Sequence, residues 1–164
     1  LGKDDGEKYR DLVMQRAQLI SEGVAVVWSV AFNPDGETLA SADVYGNVLL
    51  WDLTSGKRAV TLQAFNRRGK DEDINGAYSV AFSPDGKTVA AGTVRGIKLW
   101  DLESGKDAVT VKGPAGTVWS VAFSPDGKTV ASAGSKRGIG KRDSPEDDPT
   151  LRLWELIPAR KADK

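Results

Sequence analysis

One fifteen-residue phrase occurs three times: VWSVAFNPDGETLAS (27–41), AYSVAFSPDGKTVAA (77–91) and VWSVAFSPDGKTVAS (118–132). Its aromatic second residue falls at 28, 78 and 119, spacings of 50 and 41 residues. Each copy is followed by a closing pair, Trp51-Asp52, Trp100-Asp101 or Trp154-Glu155. Self-similarity at such a period means stacked supersecondary units, none of which can bury its hydrophobic face alone. Any fold for this chain must therefore be an array.

The residues inside one unit predict a four-stranded meander. Val118, Val121 and Phe123 point to one side. The step of three between the two valines, where strict alternation gives two, requires one extra residue near Trp119-Ser120, a β-bulge. A hairpin turn follows in the PDG stretch, with Pro125 presetting φ, Asp126 bonding the backbone and Gly127 taking positive φ; Asp35-Gly36 and Asp85-Gly86 repeat it. KTVAS (128–132) reads as the second strand and TLRLW (150–154) as the third. In the first two units a TSGK or ESGK turn leads to a fourth, KRAVTL (57–62) or KDAVTV (106–111). Short strands at this spacing, with glycine turns between them, define an all-β chain.

At these motifs the sequence resembles the WD-repeat β-propellers, whose repeat reads roughly GH…VxSVAFSPDGKxLASGSxDGTVKLWD. The resemblance covers about residues 17–157. It implies three WD-type four-stranded blades, over 26–62, 77–111 and 117–155, forming part of a propeller. Two departures stand out. No unit has the Gly-His pair, and the Asp of the turn before the third strand falls at Tyr45 in the first unit and is not evident in the others. With the His-Ser-Asp-Trp network of the family incomplete, Trp51, Trp100 and Trp154 are expected to be held by packing alone.

Three blades do not close a ring, since propellers have ~4–8. The last unit ends in LRLWELIPARKADK (151–164), with no fourth strand and a charged tail over 158–164. Aligning QLISEGVAVVWSVAF (18–32) with VTVKGPAGTVWSVAF (109–123) places Arg16, Ala17, Gln18, Leu19 and Ile20 as an outer strand ahead of the first complete unit. In the family such a strand locks the ring by completing the last blade, and here it would complete the last blade of another copy. Two copies supply six blades and three supply nine, so a dimer is favoured over a trimer. The alternative is a piece of a larger propeller protein; the sequence opens on Leu1 without an initiator Met. EKYRDLVMQRAQL (7–19) also suits an amphipathic helix, with Tyr9, Leu12, Val13, Arg16 and Ile20 on one side, so the N-terminal segment over 1–15 reads as helical, a helix over 5–16 followed by the strand.

Composition limits the chemistry. There is no histidine and no cysteine, which excludes Ser-His-Asp and Cys-His catalysis, disulfides and thiolate metal sites. The 23 Lys+Arg are matched by 23 Asp+Glu, so no net basic field attracts nucleic acid or a membrane surface. No apolar run approaches a membrane span and no signal peptide is legible. The reading is a cytoplasmic protein that binds proteins or peptides, is not an enzyme and carries no cofactor or metal. An enzyme using the acidic stretch DSPEDDP (143–149) and a nucleic-acid-binding subunit are the minor alternatives.

Where would a partner bind? In the resemblance, Trp28, Tyr78 and Trp119 occupy positions that contact partners; filling gaps between neighbouring inner strands is the competing role. Two long connections, 63–76 and 134–149, emerge on the same rim and carry Arg67, Arg68 and Lys70 and then Lys136, Arg137, Lys141 and Arg142. Each basic group is followed by an acidic one, a pattern that also fits plain solvated loops.

Overall fold

In a computed structural model, residues 26–64, 76–104, 109–111, 116–135 and 149–156 are described. They form eleven strands and no helix. The first sheet is a meander of β1 (Val27–Phe32), β2 (Thr38–Asp43), β3 (Asn47–Asp52) and β4 (Lys57–Gln63). The second repeats it with β5 (Ala77–Phe82), β6 (Thr88–Thr93), β7 (Gly96–Asp101) and β8 (Val109–Val111). The third has three strands among the described residues, β9 (Val118–Phe123), β10 (Thr129–Ser135) and β11 (Pro149–Glu155), with β10 in the middle. All pairings are antiparallel. The all-β reading and the three units hold.

The register explains how identical phrases become identical sheets. Pairing passes from Val27 to Ser29, from Ala77 to Ser79 and from Val118 to Ser120, leaving Trp28, Tyr78 and Trp119 as the extra residue each time. That is the bulge the valine spacing requires. At the other end of the hairpin, Gly36, Gly86 and Gly127 sit at φ of 72°, 73° and 70°, the left-handed region in which a side chain is costly.

The sheets stack face to face, with β5 lying beside both β1 and β9. Between the first and second, Ala40, Ala42, Val48 and Leu50 meet Ala77, Val80, Phe82, Val89, Ala91 and Trp100. Between the second and third, Ala90 and Ile97 meet Val118, Val121 and Val130, with Trp154 packed alongside. Small residues on one face and large ones on the other allow the sheets to approach closely. A Cβ added at Gly92 of the second sheet would collide with Val118 of the third, its carbonyl oxygen lying 2.8 Å away.

Two expectations are corrected. The tryptophans are not held by packing alone: Trp51 Nε1 donates to Ser41 Oγ at 2.9 Å and Trp154 Nε1 to Ser132 Oγ at 2.9 Å. The serine–tryptophan leg needs only two residues set diagonally on paired strands, Ser41 being opposite Leu49 and Trp51 opposite Leu39, and it survives the loss of the other members. In the second sheet Ala91 takes the serine's place and offers no hydroxyl. Nor is the turn before β3 without its aspartate. Asp43, two residues ahead of Tyr45, is buried and accepts from Tyr45 N at 2.9 Å, Asn47 N at 2.8 Å and Asn47 Nδ2 at 2.7 Å. Thr93 holds that position in the second sheet, accepting from Arg95 N and donating to the Gly96 carbonyl.

Candidate functional site

The three bulges aim three aromatic rings along one line. Trp28 and Tyr78 have ring centroids 6.0 Å apart at 52°, and Tyr78 and Trp119 are 4.8 Å apart at 56°. Both separations lie within the range for tilted aromatic pairs, which favour edge-to-face over flat stacking. Because each ring sits on a residue that the ladder skips, it escapes the in-out alternation of its strand and leans toward the neighbouring sheet.

The row is not uniform. Tyr78 is 6% exposed, wedged between its neighbours, whereas Trp28 is 54% and Trp119 44% exposed. The two competing roles are therefore divided: the central ring fills the gap between inner strands, and the flanking rings present indole faces to solvent. Burial pushes the Tyr78 phenol above its ordinary pKa, and its hydroxyl has no hydrogen-bond partner among the described residues. The hydroxyl is itself buried, so what the row offers to solvent is the two flanking indole faces, with Tyr78 as the wedge that sets their spacing.

The carboxylates Asp35, Asp85 and Asp126 lie in the hairpin turns. Asp35 accepts from Glu37 N and Thr38 N at 2.8 and 3.0 Å. Asp85 accepts from Ser83 Oγ at 2.5 Å and Lys87 N at 3.1 Å, and Asp126 from Ser124 Oγ at 2.6 Å and Lys128 N at 3.1 Å. Those serine hydroxyls, with the backbone N–H groups second, hold the carboxyls of Asp85 and Asp126 below the usual value. Turn formation accounts for carboxylates at these three positions. No group of three or more metal-ligating side chains occurs among the described residues, and none of their helices is long and apolar enough to cross a membrane.

Other expected positions fall outside the described residues: Arg67, Arg68 and Lys70, Lys136, Arg137, Lys141 and Arg142, the strand Arg16, Ala17, Gln18, Leu19 and Ile20, the helix over 1–15 and the tail over 158–164. Conversely, the structure brings in residues that the motifs did not flag. Ser29 Oγ accepts from Val80 N at 3.2 Å, and Asn33 Nδ2 donates to the Gly86 carbonyl at 3.3 Å, so the first and second sheets are tied by polar bonds at both ends of the inner strand. Neither has a local sequence signal, since the partners are 51 and 53 residues apart.

Comparison with known proteins agrees with this architecture. The family model described as "WD domain, G-beta repeat" matches residues 18–52, 67–101 and 105–155. A 41-residue stretch is 49% identical to a probable cytosolic Fe-S cluster assembly factor of Schizosaccharomyces pombe. That alignment covers 24% of this chain and 7% of the yeast protein, so the chain spans only a small part of its relative.

Proposed function

The chain belongs to the WD-repeat family, and on that premise we propose that it is a non-catalytic, cytoplasmic protein-interaction scaffold that completes its ring by self-association. WD repeats generally serve as platforms for proteins or peptides. Trp28 and Trp119 offer the contact surface, with Tyr78 wedged between them, and the basic loop residues Arg67, Arg68, Lys70, Lys136, Arg137, Lys141 and Arg142 supply charge for the same partner. The cytosolic assembly factor that resembles one repeat is consistent with that setting.

The observation that carries self-association is the third sheet. Its two siblings have four strands, and it has three among the described residues, with β11 at the edge where β4 and β8 pair in the others. An edge strand invites an added strand. Residues 16–20 of a second copy supply it. The chain itself illustrates the order, because β4 of one sheet is followed in sequence by the inner strand β5 of the next. A segment preceding β1 would likewise belong to the sheet against which β1 packs.

Light scattering on the 164-residue chain tests this. At micromolar concentration the particle is expected at twice the chain mass, and a chain lacking residues 1–20 at the mass of one. Unchanged size and melting temperature after that deletion would remove strand exchange from the reading.

A further inference from the structure

We propose that two copies dock head to tail, the Val27–Val30–Phe32 face of one first blade seating on the Leu151–Leu153 face of the other copy's last blade, in the register the chain already uses internally. This rests on the self-association reading but assigns a different surface, sheet face rather than strand edge.

Register identifies the equivalents. Phe32 pairs with Leu39 as Phe82 does with Val89, and Val30 with Ser41 as Val80 does with Ala91. Leu153 pairs with Ala131 as Leu50 does with Ala40, and Leu151 with Ala133 as Val48 does with Ala42. In the internal junction Val80 and Phe82 press on Val48 and Leu50 and all are buried. At the ends the same positions are bare: Phe32 is 62% exposed against 9% for Phe82, and Leu153 is 72% against 4% for Leu50. Isolated exposed apolar side chains are ordinary, but Val27, Val30 and Phe32 form a continuous apolar strip along β1, beside Ser41, Leu49 and Trp51 of the same face, which are buried.

The polar fittings repeat the same logic. Ser29 Oγ accepts from Val80 N across the first internal junction, whereas the equivalent Ser79 Oγ at the second has no partner among the described residues; Ser120, exposed on β9, would follow the first pattern and accept from Val30 N of the next copy. A Cβ at Gly86 would strike the Asn33 side chain and one at Gly127 would lie 3.5 Å from Pro84, each belonging to the preceding blade; at Gly36 nothing lies within 4 Å. The slot beside Gly36 fits the Ser124-Pro125 turn of a second copy. Trp119 would likewise face Trp28 and continue the aromatic row around the ring. One end thus offers what the other lacks, which is a heterologous contact; it closes into a ring when two three-blade copies meet.

Sedimentation of the surface variants Phe32→Glu and Leu153→Glu, followed by mixing them, tests the face. Each alone is expected to be a folded monomer, with native circular dichroism and self-association weakened at least about 100-fold, the effect of a desolvated unpaired charge at an interface. Mixed, they are expected to form an open heterodimer, weaker than the parent, because the intact first blade of Leu153→Glu meets the intact last blade of Phe32→Glu while the other junction carries both glutamates and stays apart. Val30→Lys and Leu151→Lys provide a second pair if either glutamate variant fails to fold. Variants that keep the parent dimer overturn the proposal, and if the chain lacking residues 1–20 is monomeric in the same experiment, strand exchange survives without it. Failure of the mixture to form a heterodimer overturns the head-to-tail arrangement, and a parent chain that stays monomeric overturns this proposal and the self-association reading together.

Discussion

The strands β1 and β5 carry nearly the same residues, VWSVAF and AYSVAF, and have opposite fates. In β5 the apolar side is sealed against the first blade; in β1 the equivalent side faces solvent. Burial in a repeat protein is therefore a property of place in the stack, with each unit's stability set by its nearest neighbours. The middle blade has two neighbours and the first has one. The same alternation of valine and phenylalanine is core in one copy and an unpartnered face in another.

The largest test of that contrast is truncation at equivalent positions. Phe82→Ala is expected to cost about 3–5 kcal/mol in urea unfolding, as for other buried phenylalanines. Phe32→Ala, measured where the chain is monomeric, is expected within about 0.5 kcal/mol of the parent. Raising the concentration sharpens the comparison: once a second copy covers β1, Phe32→Ala should become destabilising too, and stability of the parent should rise with protomer concentration. Equal costs at every concentration would mean that position in the stack does not govern the energetics.

A smaller effect separates the middle blade from the outer two in the other direction. Ser41 and Ser132 accept the indole N–H of Trp51 and Trp154, and the middle blade has Ala91 in their place. Ser41→Ala leaves a buried donor without its partner and is expected to cost about 1–3 kcal/mol. Ala91→Ser, which offers Trp100 the missing acceptor, is expected to gain about 0.5–1.5 kcal/mol. Thermal melts of both variants check the pair, and a destabilised Ala91→Ser would show that the middle blade packs too tightly for the hydroxyl.

These residues also show where sequence reading succeeds and fails. Strand order, the hairpin turns and the bulges were legible because each is set by local spacing: the three-residue step from Val118 to Val121, the Asp126-Gly127 turn. The serine–tryptophan bond was misjudged because the missing histidine was taken to dismantle a whole network, although Ser41 and Trp51 meet through register alone. Asp43 was missed because counting along the motif led to Tyr45, while the turn's hydrogen bonds select the carboxylate at the end of β2. The aromatic row was singled out, but the division between a wedged Tyr78 and open Trp28 and Trp119 depends on inter-blade distances that no local pattern encodes. The same holds for Ser29 with Val80 and Asn33 with Gly86.

The smallest expected effect distinguishes the hairpin turns by acid titration. In the second and third blades, hydrogen bonds from Ser83 and Ser124, and then from the backbone N–H groups of Lys87 and Lys128, hold Asp85 and Asp126 below the ordinary carboxylate value of 3.8. The unfolded chain lacks those bonds, so below that value it binds protons that the folded chain still refuses, and stability falls with pH. Each aspartate's contribution is thus fully present above 3.8 and is lost as pH drops through its lowered folded value. Asp85→Asn and Asp126→Asn should each lower the urea midpoint near neutrality and shrink its decline between about pH 5 and pH 2. Both groups are open to water, so the change should be modest and weaken with added salt. In the first blade Asn33 replaces the turn serine and spends its amide on Gly86 of the next blade. Asn33→Ser should therefore remove an inter-blade tie and weaken the junction between the first two blades, read as a lower urea midpoint. If the acid limb of Asp85→Asn and Asp126→Asn matches that of the parent, the turn hydrogen bonds are not what holds these two carboxyls below their ordinary value.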